Sequence, residues 1–213
     1  MTGNSIIKRT LRPDGGERMR KTVQIGLISA LAVTLLTGCG AEFSADKDTV
    51  YVQKKGTVKG ANVADFDKDY YDETELSDFI TDTVDTYVAK AGDGTVVIQE
   101  FGVENGVAHV YLDYAGAEDY AEFNGVEFYA GTVLDAKADG YDIPNAFTAV
   151  TDKETTWDAE GNKIVIVGQQ TQVQVDGTIL FVSENASVTG KNTADVTYDI
   201  LDEEAQPAYI VYK

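Results

Sequence analysis

Residues 95–114, with the sequence TVVIQEFGVENGVAHVYLDY, decide the fold class of this chain. Two runs rich in β-branched and aromatic residues flank Asn105-Gly106, a pair that tolerates the positive φ angles of a tight hairpin turn. In the second run, the even-numbered residues 108–114 share one apolar face, and the odd-numbered residues 107–113 share the other. The stretch therefore predicts an antiparallel hairpin with one face turned toward a core.

An amphipathic helix precedes this hairpin. Apolar residues recur at helical spacing between residues 76 and 88. Asp72, followed three residues later by Glu75, has the pattern of a capping box, which places carboxylates at the positive end of a helix. Gly92 ends the pattern, so we predict a well-formed helix over about residues 73–91.

Short helices and strands make up the rest of the chain. Two short helices are predicted over 117–123 and 132–139, each ended by a turn that contains glycine. The other predicted strands are one near Val50–Val52 and those at about 57–66, 126–130, 147–151, 163–167, 171–176, 178–183, 195–200 and 208–212. Helices and strands do not alternate as they do in βαβ units. We therefore predict an α+β fold with a mainly antiparallel sheet, one well-formed helix and two short helices.

A second informative stretch, Leu36-Thr37-Gly38-Cys39, lies upstream of these elements and contains the only cysteine of the chain. It closes an apolar run over residues 25–36 that follows the basic pair Arg20-Lys21. A basic start, an apolar centre and small residues at the end are typical of a secretory signal peptide. The run is too short for a transmembrane helix, which needs about 20 apolar residues.

This arrangement resembles that of bacterial lipoprotein precursors, whose lipobox is an aliphatic residue, one or two small residues and a cysteine. Leu36, Thr37, Gly38 and Cys39 match it position by position. The resemblance implies that the Cys39 sulfur receives a diacylglyceryl group and that cleavage just before Cys39 makes it the first residue of the mature chain. The protein would then be held through its lipid on the outer face of the bacterial cytoplasmic membrane. Two acyl chains make such an attachment lasting, whereas one chain anchors only marginally.

The chain divides accordingly into four expected parts. Residues 1–18 precede a signal peptide that is already complete from Met19, so we expect translation to begin at Met19. Residues 19–38 are expected to form the lipoprotein signal peptide. Residues 39–48, which are small and polar, are expected to form a tether, and residues 49–213 a single α+β domain.

The charge of the chain restricts its partners. Residues 1–38 hold six of the 17 basic residues and two of the 36 acidic residues, so residues 39–213 keep 11 lysines, no arginine, 34 carboxylates and a formal charge of −23. Nucleic-acid binding depends on basic side chains that neutralise phosphates, so we expect no nucleic-acid partner. The charge favours solubility, cation uptake or a basic partner. No cofactor motif occurs, and we expect no cofactor.

The densest acidic stretch offers a candidate cation site. Asp65, Asp67 and Asp69 are spaced like the first three ligands of a calcium loop. An EF-hand also needs glycine at its sixth position and glutamate at its twelfth, which here are Tyr70 and Leu76. The stretch is therefore not an EF-hand. The two interpretations that remain are a solvated loop before the helix and a divergent, weak calcium site.

Two further residues carry site hypotheses. His109, the sole histidine, shares a strand face with Tyr111 and Asp113, as a base and an orienting carboxylate would, although most such histidines are surface residues. Trp157 could stack on a sugar ring from an exposed loop, but aromatic side chains more often supply core area.

Two runs in the body of the chain, residues 55–72 and 120–126, resemble uncharacterised lipoproteins of Gram-positive anaerobes. That resemblance implies a location and no activity. We therefore expect a non-enzymatic envelope protein that binds or interacts with a ligand the sequence does not specify. The alternatives are a calcium-dependent binding module that uses Asp65, Asp67 and Asp69, and a small hydrolase that uses His109 and carboxylates.

Overall fold

The computed structural model describes residues 43–150 and 156–213. In these residues the chain forms two mostly antiparallel sheets and three helices, which confirms the predicted α+β class. The predictions on residues 1–18, the signal peptide of residues 19–38 and the lipobox with Cys39 lie outside the described residues.

The larger sheet has seven strands among the described residues. In spatial order these are β10 (Ala186–Gly190), β11 (Thr193–Val196), β8 (Thr171–Val175), β1 (Thr49–Val52), β2 (Val58–Asp65), β4 (Val107–Tyr114) and β3 (Val96–Glu104). Neighbouring strands are antiparallel except β1 and β8, which run parallel with Val50 opposite Val173.

The smaller sheet has five strands within the same residues, all antiparallel. In spatial order these are β5 (Phe128–Thr132), β7 (Lys163–Val167), β12 (Ala208–Tyr212), β9 (Ile179–Val182) and β6 (Thr148–Ala149).

The helices are α1 (Glu73–Ala91), α2 (Ala117–Asn124) and α3 (Val133–Ala138). The side chain of Asp72 caps α1, since its carboxylate accepts the backbone N–H of Thr74 at 2.8 Å and that of Glu75 at 3.0 Å. Gly92 follows the last turn with φ 110°, a conformation that favours glycine. The predicted helix over 73–91 and its N-cap are confirmed.

The hairpin of residues 95–114 is also confirmed. Asn105 and Gly106 take the positive φ angles of 51° and 76° that the turn requires, and the even-numbered residues of β4 are buried. A bulge between Ile98 and Glu100, which the sequence did not indicate, changes the register of β3. The bulge lets Phe101 and Val103 pack against the core together with Ile98.

The core forms two layers on either side of the smaller sheet. One face of the larger sheet packs against the smaller sheet over the β8–β1 half and against α1 over the β4–β3 half. The buried residues Val173, Ile210 and Ile80 belong to this same cluster. The other face of the smaller sheet packs against α3, where Val133 and Ala136 are buried. Because the centre of the smaller sheet is covered on both faces, β7 and β12 are continuous apolar runs in which apolar and polar residues do not alternate.

Several strand boundaries differ from the prediction: the strand expected over 126–130 is Phe128–Thr132, and the one expected over 147–151 is Thr148–Ala149. β10 was not predicted, because its outward residues Ser187 and Thr189 are polar and only Ala186 and Val188 supply an apolar signal. The strand predicted over 195–200 is β11, which ends at Val196. The chain turns shortly afterwards, where the Asp199 carboxylate accepts the backbone N–H of Leu201 at 3.0 Å.

Candidate functional site

Residues 43–48 lie against the outer face of the larger sheet, the face turned away from the core. The Phe43 ring lies 5.7 Å from the Tyr51 ring and 6.0 Å from the Tyr111 ring, measured between centroids. The Tyr111 hydroxyl accepts the backbone N–H of Ala45 at 3.2 Å and donates to the Ala45 carbonyl at 3.3 Å. We call residues 43–48 the docked segment.

The C-terminal half of the docked segment is fastened by charge and by backbone hydrogen bonds. The Lys47 ammonium contacts the Asp195 carboxylate at 2.8 Å. The Asp48 carboxylate accepts the backbone N–H of Val63 at 2.8 Å, and its carbonyl accepts that of Gln172 at 2.9 Å. Residues 39–48 are the expected tether. Its described part, residues 43–48, is held on the sheet by these contacts.

Two ion pairs join ionisable groups on the outer face, Lys47 with Asp195 and Lys59 with Asp113. Lys59 on β2 lies opposite Asp113 on β4, and its ammonium contacts the Asp113 carboxylate at 2.9 Å. Burial raises the pKa of the Asp195 carboxyl, but hydrogen bonds from Lys47 and Gln172 lower it more, so the pKa lies below its usual value. These contacts give the Asp113 and Asp195 carboxylates defined partners.

His109 lies on the outer face between Val63 on β2 and Gly102 on β3. Its Nδ1 atom is buried, and no described residue gives it a hydrogen-bond partner. Tyr111 and Asp113 share its face, as predicted, but Tyr111 bonds to Ala45 and Asp113 to Lys59. The carboxylate that the hydrolase hypothesis assigns to His109 is therefore engaged elsewhere.

The acidic loop between β2 and α1 does not gather its carboxylates. Asp65 is the last residue of β2, Asp67 pairs with the neighbouring Lys68, and Asp72 caps α1. The hydrogen bond from Lys68 lowers the pKa of the Asp67 carboxyl. Among the described residues no group of three or more His, Cys, Asp or Glu side chains is arranged to hold a metal ion. Calcium binding by Asp65, Asp67 and Asp69 stays a prediction.

Trp157 belongs to the second core layer. Its half-buried ring lies 5.1 Å from the Phe147 ring, and the Lys137 ammonium lies 4.5 Å above it. A ring covered by an aromatic side chain on one side and a cation on another contributes packing and cation–π attraction. This environment favours the core interpretation of Trp157 over an exposed sugar platform.

Sequence reasoning missed a small polar cavity beside α2. Its volume of about 10 Å³ is close to what one water molecule needs. The cavity is lined by Asp48, Thr49, Gly60, Ala61, Asn62, Tyr120, Asn124, Gln169, Gln170 and Thr171.

Buried amides and phenols surround this cavity. The Asn124 amide donates to the Tyr114 hydroxyl at 3.2 Å and to the Tyr120 carbonyl at 2.9 Å. The Gln169 amide donates to the Tyr120 hydroxyl at 2.8 Å, while its Oε1 atom is buried without a partner among the described residues. Burial raises the pKa of the Tyr120 phenol. These groups can hold one water molecule and are too crowded for a larger ligand.

One sequence signal points toward this cavity. Gly60 lies inside β2, and a glycine inside a strand often marks close approach of another group. A Cβ atom at Gly60 would lie 3.0 Å from the Tyr114 ring. The amides themselves are spread along the chain and form no motif.

Comparisons with known proteins give no relative. No family model, no curated protein sequence and no solved structure matches this chain. None of the helices in residues 43–150 and 156–213 has both the length and the apolar character that spanning a membrane requires.

Proposed function

We propose that this chain is a lipoprotein of the outer face of a bacterial cytoplasmic membrane, attached through a diacylglyceryl group on Cys39, and that it acts there as a non-enzymatic binding or interaction module. The observation that carries the proposal is the position of the lipobox relative to the fold. Cys39 precedes Phe43, the first residue of the docked segment, by four residues. Cleavage before Cys39 would therefore leave the whole described fold intact.

The same spacing supports a domain held close to the membrane. Four residues span at most about 14 Å when fully extended. The docked segment is bound to the sheet by the Phe43, Ala45, Lys47 and Asp48 contacts, so it adds no free length. A lipid on Cys39 would accordingly hold the domain at the bilayer surface.

The pairing of two outer-face carboxylates favours a non-enzymatic role over the hydrolase alternative. That alternative needs a carboxylate that is free to orient the His109 imidazole. Here Asp113 is bound to Lys59, and Asp195 to Lys47 and Gln172. The formal charge of −23 on residues 39–213 favours cations or a basic partner as the ligand.

Intact-mass spectrometry of the protein extracted from bacterial membranes tests the attachment. The expected mass is that of residues 39–213 plus a diacylglyceryl group, and Cys39→Ser should keep its leader and lose the lipid. A bare thiol on Cys39 together with an uncut leader would overturn the proposal.

A hydrolase panel tests the non-enzymatic role. The extracted protein and its His109→Ala variant should both match the blank toward chromogenic ester, peptide and glycoside substrates. Turnover by the parent protein that His109→Ala abolishes would instead establish the hydrolase alternative.

A further inference from the structure

Three polar side chains at the cavity beside α2 have hydrogen-bonding groups left over. Asn62, on the core side of β2, is only 8% exposed, and the described residues give its side-chain amide no hydrogen-bond partner. The Gln169 Oε1 atom is also buried without a partner among these residues. The Tyr120 hydroxyl accepts the Gln169 amide at 2.8 Å, so its own proton remains to be donated. The cavity is therefore lined by both donors and acceptors.

The orientation of the Gln169 amide does not remove this imbalance. A half-turn of the amide would let Tyr120 donate its proton to Oε1, but it would place Nε2 where Oε1 lies now. Nε2 can only donate, and it would then lack an acceptor. In either orientation one atom of the Gln169 amide needs a partner from outside the chain, because a buried polar group without a hydrogen bond keeps its full desolvation penalty.

The size and the chemistry of the cavity restrict its occupant. Its volume of about 10 Å³ is close to what one water molecule needs. A water molecule both donates and accepts, so it can donate to Gln169 Oε1 and accept from the Tyr120 hydroxyl and the Asn62 amide. A sodium, potassium or ammonium ion offers no acceptor and would leave the Tyr120 and Asn62 donors unpaired. Water is therefore the occupant that fits both the volume and the side chains.

The cavity lies where the chain passes from the smaller sheet to the larger one. Residues 168–170 connect β7 of the smaller sheet to β8 of the larger sheet. Asn62 of β2, Tyr120 of α2 and Asp48 of the docked segment line the same cavity as Gln169. A molecule bound there contacts elements that are far apart in the sequence.

We propose that this cavity holds one long-lived internal water molecule, bound by Asn62, Tyr120 and Gln169, as a fixed part of the fold. Internal water molecules of this kind typically make about three hydrogen bonds. The water links Asn62 on β2 to the β7–β8 connection, since no direct hydrogen bond joins the Asn62 and Gln169 side chains in the described residues. The site does not depend on a lipid at Cys39.

Magnetisation transfer from water to side-chain amide protons detects such a molecule in the full-length chain in detergent solution. The Asn62 amide should show an Overhauser effect with the sign that long-lived bound water gives. The Asn162 amide is the internal control, because this residue is 2% exposed and its amide donates to the Thr156 and Trp157 carbonyls, both at 3.1 Å. Asn162 should show no such effect.

Gly60→Ala should displace the water. A Cβ atom at Gly60 would lie 3.0 Å from the Tyr114 ring, at the wall of a cavity with room for one molecule. The methyl group and the ring that it displaces should take up this volume, and the effect at Asn62 should be lost. Gly102→Ala on β3 is the matched control, because a Cβ atom there meets nothing within 4 Å. The effect at Asn62 should keep its full intensity in Gly102→Ala.

Three results would overturn the water site. The first is the absence of an effect at Asn62 in the parent chain, a measurement that stands even if Gly60→Ala does not fold. The second is an equal effect in Gly60→Ala and Gly102→Ala, which would show a relay through the Tyr120 hydroxyl proton. The third is a melting temperature that sodium, potassium or ammonium chloride raises above its value in choline chloride, in the parent chain but not in Gly60→Ala. That result would identify the occupant as a cation.

Discussion

Replacing Phe43 with alanine removes the side chain that holds the start of the docked segment to the sheet. A fully buried Phe→Ala change costs about 3–5 kcal/mol. Phe43 is half-buried, and its ring contacts are those with Tyr51 and Tyr111. We therefore expect Phe43→Ala to weaken docking of the segment by about 1.5–2.5 kcal/mol, half the cost of the fully buried change.

Hydrogen exchange at the Ala45 amide reports this change locally. That N–H donates to the Tyr111 hydroxyl, so it exchanges when the segment leaves the sheet. In a soluble form that begins at residue 39 and carries Cys39→Ser, Phe43→Ala should accelerate the exchange about 10- to 70-fold, the factor that corresponds to about 1.5–2.5 kcal/mol. The urea midpoint should fall by at most about 1.3 M, because a typical m-value is about 2 kcal/mol per M.

Leu134→Ala is the control, since Leu134 on α3 is 75% exposed. Its free energy of unfolding should change by less than about 0.5 kcal/mol, and exchange at Ala45 should stay the same. If Phe43→Ala changed the exchange rate of Ala45 by less than about threefold, the docked segment would not be held by this ring.

Four further outcomes follow from the described contacts. Lys47→Gln should reduce the free energy of unfolding by less than about 1 kcal/mol at neutral pH. Because the Lys47 contact lowers the pKa of Asp195 in the folded state, this loss should vanish as the pH falls through that lowered pKa, which urea titrations at several acidic pH values would measure. Burial, together with the Asp176 charge, raises the pKa of Tyr212 from 10.0 to about 12. The free energy of unfolding should therefore decrease between these two pH values, because the unfolded state ionises first. In alkaline unfolding curves Tyr212→Phe should remove about 2 kcal/mol of this decrease. Asn124→Ala should cost about 1–3 kcal/mol in urea unfolding, because it leaves the buried Tyr114 hydroxyl and Tyr120 carbonyl without the amide donor. Millimolar calcium should leave the melting temperature unchanged, and a rise that Asp67→Asn abolishes would support the calcium module instead.

Local sequence patterns were sufficient to predict the elements that contacts between nearby residues determine. The helix over Glu73–Ala91 follows from apolar spacing and from Asp72, because a cap satisfies backbone N–H groups two and three residues away. The hairpin follows from Asn105-Gly106, because these two residues can take positive φ. The polar strand β10 gave too weak a signal, since its place at the sheet edge leaves alternate residues exposed to solvent.

Spacing along the sequence was sufficient to nominate the residues of the candidate sites. It could not identify the groups that their side chains contact. The sequence pattern places Asp113 on the same strand face as His109. In the structure the Asp113 carboxylate contacts the Lys59 ammonium on a neighbouring strand. Trp157 follows a loop-like stretch, yet Phe147 and Lys137 cover its ring.

The amino-acid sequence by itself determined the α+β class, the main helix, the central hairpin, the excess of carboxylates and the lipobox expectation at Cys39. Only the tertiary structure decided that β1 lies parallel to β8, that residues 43–48 return across the sheet, and that Lys163 contacts Lys54. The reason is that turns and caps act over a few residues, whereas strand order and surface charge arise from contacts such as Lys54 with Lys163, 109 residues apart in the chain.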